Sequence, residues 1–114
     1  MDLVFTAEEQ AFRAEVRTWL AEHVPREPRP HGDRPDSREF DLAWQRAQYD
    51  GGWAGISWPA EFGGRGLSTI QQLVWYEEYA RADAPWIGAC FVGINHGGPT
   101  LVARANDAQK SYHL

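Results

Sequence analysis

A chain of 114 residues with 43% hydrophobic content supports one small core, a single domain over residues 1–114, and its net charge of −5 argues against nonspecific nucleic-acid binding. One cysteine, Cys90, excludes a disulfide framework and cysteine-based zinc spacing, and fits a cytoplasmic setting. The acidic N-terminus MDLVFTAEEQ lacks the basic and apolar regions of a signal peptide, and no run of about 18 apolar residues is present to span a membrane.

Thr6 and Glu9 have the spacing of a capping box, in which each side chain satisfies a free backbone N–H at a helix start. Phe5 precedes the cap, where it can staple onto the following turn. Phe12, Val16, Trp19 and Leu20 then form one apolar stripe. The helix should end near His23, because Pro25 disfavours the α conformation at Val24. Residues 25–36 carry four prolines and one glycine and read as a connecting loop. Its arginines are diluted by Glu27, Asp33 and Asp36, so a solvated loop is expected rather than a basic patch.

A second helix is expected from Asp36 or Ser37, with Phe40, Ala43, Trp44 and Ala47 on its apolar face and Gly51-Gly52 as its stop. Residues 52–67 form an aromatic and glycine-rich loop containing Trp53, Trp58, Pro59 and Gly63-Gly64-Arg65-Gly66. Ser68 and Gln71 predict another capping box, opening a helix that turns Ile70, Leu73, Val74, Tyr76 and Ala80 inward and ends before Pro85. From Trp86 to about Asn95 the chain is apolar nearly all round, which predicts a helix buried on several sides. His96 to Gly98 should break it, Pro99 should start a short helix through about Arg104, and Asn106 should cap a last one. The fold class is all-α, a bundle of five or six helices.

The order GWAGISWPAEFGGRGLSTIQQLVWYEEYARADAP, from Gly52 to Pro85, resembles the N-terminal helical domain of the acyl-CoA dehydrogenase family. TAEEQAFRAEVRTWLAEHVP is similar to that family's first helix, and NHGGPTLVARANDAQKSYHL to the end of its first domain. The resemblance covers about four-fifths of the chain. It implies a flavoenzyme that uses FAD to desaturate an acyl-CoA between the α and β carbons, passes electrons to an electron-transferring flavoprotein and works as an oligomer. In the family the flavin-contacting segment and the catalytic glutamate lie in later domains. This chain alone is therefore expected to bind no flavin, and no catalytic, cofactor-binding or metal-ligating residue is assigned to it. The helix at Trp86–Asn95 lines the far end of the family's acyl pocket. Carried over without gaps from Pro99, the pocket-facing positions are Ile87, Gly88, Phe91, Val92 and Asn95, with Gly88 opening space while Phe91 and Ile94 close it.

The other chemically suggestive groups read as structural. The glycine loop fits neither GxGxxG nor GxxxxGK[ST]. Glu77 and Glu78 are adjacent on a helix and point about 100° apart, so they cannot act as an acid/base pair and are expected on a solvated or interdomain face. His23, His31, His96 and His113 show no metal-ligand spacing. Cys90 is expected to be an inert buried thiol. Trp53, Trp58, Trp75 and Trp86 together exceed what so small a bundle can cover, which predicts an exposed apolar face and self-association. Two functional readings follow. One is the N-terminal domain of an acyl-CoA dehydrogenase, as a fragment or a truncated gene product. The other is a stand-alone helical module that complements a partner chain.

Overall fold

The computed structural model describes residues 4–114, so the first three residues of the N-terminal segment read above lie outside the described residues. The described residues fold into five α-helices: α1 (Ala7–His23), α2 (Pro35–Asp50), α3 (Thr69–Arg81), α4 (Gly98–Arg104) and α5 (Asp107–His113). No strand occurs among the described residues. The capping boxes form as their spacing predicts. The Glu9 N–H donates to Thr6 Oγ1 at 3.1 Å and the Thr6 N–H to Glu9 Oε2 at 2.7 Å; Ser68 with Gln71 and Asn106 with Gln109 repeat the arrangement. α2 starts one residue before the predicted Asp36, because Pro35 has its φ preset for the first helical position. Ser37 does not cap. It is buried, and its hydroxyl donates to the Pro30 carbonyl at 3.2 Å, tying the proline-rich loop to the helix.

The core collects Phe12, Val16 and Leu20 of α1, Trp44 of α2, Val74 and Trp75 of α3, and Trp53 and Ile56 of the loop between α2 and α3. Trp53 and Trp75 stack at a centroid separation of 4.7 Å, with planes 8° apart. Both were expected to need cover from outside, yet each covers the other. Large flat rings bury much apolar area at little side-chain entropy, which lets so short a chain close a core. Arg65 of the glycine-rich loop lies over the Trp53 ring at 4.2 Å and pairs with Glu15 at 2.9 Å, closing that end.

α3 turns a different face inward from the one its apolar residues predict. Val74 is buried as expected, but Ile70, Leu73, Tyr76 and Ala80 are exposed, and Trp75 and Glu78 are buried in their place. The reason is charge pairing across sixty residues of sequence. Arg13 Nη1 lies 2.5 Å from Glu78 Oε1 and Arg13 Nη2 2.7 Å from Glu77 Oε2, while Arg17 Nε lies 2.6 Å from Glu78 Oε2. The expected solvated face at Glu78 is thus the seam between α1 and α3. Burial by itself would raise the Glu78 carboxyl, but hydrogen bonds from Arg17 and Arg13 outweigh it and hold the group below the usual glutamate range.

The proline-rich loop is likewise not wholly solvated. Arg29 grips the buried Asp41 carboxylate with two bonds, at 2.7 and 2.8 Å. Hydrogen bonding from Arg29 is the largest cause that holds Asp41 below the normal aspartate range.

The predicted helix at Trp86–Asn95 takes another form. A tight 3-10 turn, Gly88–Cys90, leads into a wide π-helical turn, Gly93–Gly97, that runs on into α4 without a break. Pro99 explains the widening. In a π turn the Gly98 N–H reaches back to the Gly93 carbonyl, and the next bond, to Ile94, would need an N–H that Pro99 lacks. Trp58 supplies it from outside, donating from Nε1 to the Ile94 carbonyl at 2.9 Å. The indole can approach only because residues 64 and 98 are glycines. A Cβ at Gly98 would lie 1.9 Å from the Trp58 ring, and one at Gly64 would lie 1.9 Å from the Trp58 carbonyl oxygen. This segment is less buried than its composition predicts: Trp86 and Val92 are each 65% exposed.

Candidate functional site

A cavity of about 260 Å3 opens where α2, α3, the Trp53–Ile56 segment and the Trp86–Asn95 segment meet. Trp53, Trp75 and Tyr79 form its inner walls; Trp86, Ile87 and Phe91 form its outer rim. The deep side is rigid. Trp44 Nε1 donates to the Tyr79 oxygen at 2.7 Å, and the Tyr79 hydroxyl in turn donates to the Pro85 carbonyl. Burial pushes the Tyr79 phenol above its ordinary value, so it stays a neutral donor. Asn95, at the other end, donates one N–H of its amide to the Phe91 carbonyl at 3.1 Å. Such a site, aromatic and concave with few polar groups, suits shape-selective binding of an apolar group. Among the described residues no group of histidine, cysteine, aspartate and glutamate could hold a metal ion.

The five positions carried over from the resemblance divide. Ile87, Phe91 and Asn95 line the cavity, and Ile94 joins them. Gly88 and Val92 are not among its lining residues. Val92 faces outward. Gly88 is buried against Asp41, where a Cβ would lie 2.4 Å from the carboxylate, and its φ of +54° is one that side chains resist. The glycine is there to let the rim approach the Arg29–Asp41 pair. Cys90 nearby is half-buried, and burial raises its thiol above the ordinary value, consistent with an unreactive side chain.

Sequence reasoning missed Gln45 and Gln48, which enter the cavity from α2. Gln48 is 4% exposed. Its Nε2, and Oε1 of Gln45, have no hydrogen-bond partner in the protein. A glutamine on a helix reads as surface; the one available signal was Gln48 standing one turn beyond Trp44 on the apolar side.

The glycine loop forms no cradle for a flavin or a phosphate. Gly64 is packed against the Trp58 backbone, and the loop's arginine is turned onto the aromatic core. The residues of this loop therefore do not fit a flavin pyrophosphate.

Residues 6–114 match the sequence profile of the acyl-CoA dehydrogenase N-terminal domain, and the chain belongs to the acyl-CoA dehydrogenase family. Family members are in general FAD-dependent oxidoreductases. The chain is 38% identical to the acyl-CoA dehydrogenase IpdE1 of Mycobacterium tuberculosis over 92% of its own length and 29% of that protein's. Among solved structures it is similar to the Tcur3481–Tcur3483 steroid ACAD (TM-score 0.73, 32% identity, 99% of this chain and 29% of that one). It is also similar to the ChsE4–ChsE5 complex from Mycobacterium tuberculosis (TM-score 0.70, 29% identity, 100% and 28%). The chain thus spans about 29% of the length of the curated relatives it matches. No helix among the described residues is long and apolar enough to cross a membrane.

Proposed function

We propose that this domain walls the far end of the acyl pocket in a cytoplasmic flavoenzyme that desaturates acyl-CoA thioesters, and that the acyl group it accepts bears a fused ring system. The carrying observation is the cavity itself. Three of the five positions assigned by family resemblance, Ile87, Phe91 and Asn95, meet there with Trp53 and Trp75. Flat aromatic walls suit a ring system better than a flexible chain, and likeness to a steroid ACAD supports the same class. The cavity volume of about 260 Å3 lies just under the ~300 Å3 at which complete ligand pockets begin, as befits one wall of a larger pocket. Proton abstraction, the flavin and transfer of electrons to an electron-transferring flavoprotein belong, in this reading, to other parts of the enzyme, so the domain alone is inactive.

The test is Ile87→Phe in the flavin-loaded enzyme containing this domain. Filling the rim should exclude about three methylene equivalents of a ring-bearing acyl group, at roughly 0.8 kcal/mol each. The ratio of kcat/KM for ring-bearing against short straight-chain acyl-CoA should then fall on the order of 50-fold. An unchanged ratio in a folded variant would remove the pocket assignment.

A second reading, a helical module that complements another polypeptide, draws on one separate observation. Ile70, Leu73 and Tyr76 form an exposed apolar row along α3. Exposed apolar surface of this kind marks interaction faces, and the similar solved structures each name two chains. The reading and the pocket assignment are compatible, because the row and the cavity are built from different residues apart from Tyr76.

A further inference from the structure

We propose that Gln48, assisted by Gln45, is a specificity site for an oxygen substituent on the ring end of the acyl group. The inference rests on the acyl-pocket reading above and deepens it. Gln48 is almost wholly buried, its Nε2 donor is unpartnered, and it lines the aromatic cavity. Gln45 lies three residues earlier on α2, so the two side chains share one helix face, and its unpartnered Oε1 lines the same cavity. Tyr79, also on these walls, is bonded on both sides, and Asn95 donates one amide N–H to the Phe91 carbonyl. Among the described residues, Gln45 Oε1 and Gln48 Nε2 are the buried side-chain polar atoms left without a protein partner.

Leaving a buried amide without a partner is costly, and native structures seldom do so. A leucine or methionine would fill the Gln48 position without that cost, so the amide is best explained by what enters the cavity. An acceptor oxygen satisfies Gln48 Nε2. A hydroxyl goes further, accepting from Gln48 and donating to Gln45 Oε1; a ketone engages Gln48 alone. An unsubstituted hydrocarbon group strands both amides. Polar sites of this type reject analogues that lack the matching group far more strongly than apolar pockets reject a missing methylene.

The experiment uses the flavin-loaded enzyme containing this domain and three probes: decalinylpropanoyl-CoA, and the same ester with a hydroxyl or a keto oxygen on the ring remote from the side chain. Binding is followed by tryptophan fluorescence, since Trp53, Trp75 and Trp86 line the cavity, and turnover is followed separately at the flavin. Both oxygenated esters should bind about ten-fold or more tightly than the unsubstituted one. Gln48→Leu should erase that preference while binding the unsubstituted ester at least as well, and Gln48→Met should do the same if the leucine variant folds poorly. Equal binding of all three esters by the native enzyme, no binding of any, or a preference that survives in the folded variants would overturn the proposal. A binding preference that depends on Gln48, without oxidation of any ester, would sustain the Gln48 assignment while refuting the dehydrogenase reading.

Discussion

The seam between α1 and α3 and the rim at Trp86–Gly97 solve opposite problems. At the seam buried charges are paired: Glu78 faces Arg13 and Arg17, and the apolar residues around them are close-packed. At the rim the helix changes pitch twice, Trp86 and Val92 are exposed, and the cavity beneath holds two amides without protein partners. One region spends its sequence on holding the chain together, and the other keeps surface and hydrogen-bonding capacity available. Substitutions should therefore cost stability at the seam and affect recognition at the cavity.

The largest expected loss is at the seam. Glu78→Gln removes the buried carboxylate shared by Arg13 and Arg17, leaving Arg13 with the half-exposed Glu77 alone, and should destabilise the protein by on the order of 3 kcal/mol, read by urea denaturation at neutral pH. The pH dependence carries a sign. Because the folded-state Glu78 carboxyl lies below its ordinary value of 4.5, its stabilisation is present above about that pH and is lost as pH falls through the depressed value. Glu78→Gln should be less stable than the native protein at neutral pH and should approach it in acid. Parallel stability curves for the two proteins would contradict the burial of this charge.

Next in size is the join between seam and rim. Gly98→Ala drives a methyl group into the Trp58 ring, displacing the donor to the Ile94 carbonyl, and should cost about 1–3 kcal/mol. Gly88→Leu belongs with it. Strain at positive φ and collision with Asp41 should lower Tm without re-ranking acyl groups, since Gly88 does not line the cavity. A change in acyl preference without loss of stability would show that the rim repositions in the full enzyme.

The smallest effect is expected inside the cavity. Gln48→Leu replaces an unpartnered buried amide with an apolar group, and stability should stay within about 1 kcal/mol of the native value, on either side. A loss as large as that of Glu78→Gln would mean that Gln48 holds the fold rather than the ligand.

The contrast also explains what the sequence made legible. Capping boxes are local, so the starts of α1, α3 and α5 could be read directly. The stacking of Trp53 on Trp75 and the burial of Glu78 depend on partners far away in the chain, and composition alone pointed the wrong way for both. The predicted helix at Trp86–Asn95 ignored the effect of Pro99 on the turn before it, which only Trp58 resolves. Ile87, Phe91 and Asn95 were carried over from a family resemblance, whereas the one signal for Gln48 was its place one turn beyond Trp44.

Whether the cavity receives the ring end of the acyl group is decided by a crystal structure of the flavin-loaded enzyme containing this domain, with a ring-oxygenated acyl-CoA bound. Ring density is expected between Trp75 and the Ile87–Phe91 rim, with the ring's oxygen substituent within hydrogen-bond distance of Gln48. An acyl group lying elsewhere, with the cavity filled by side chains from the rest of the enzyme, would contradict it.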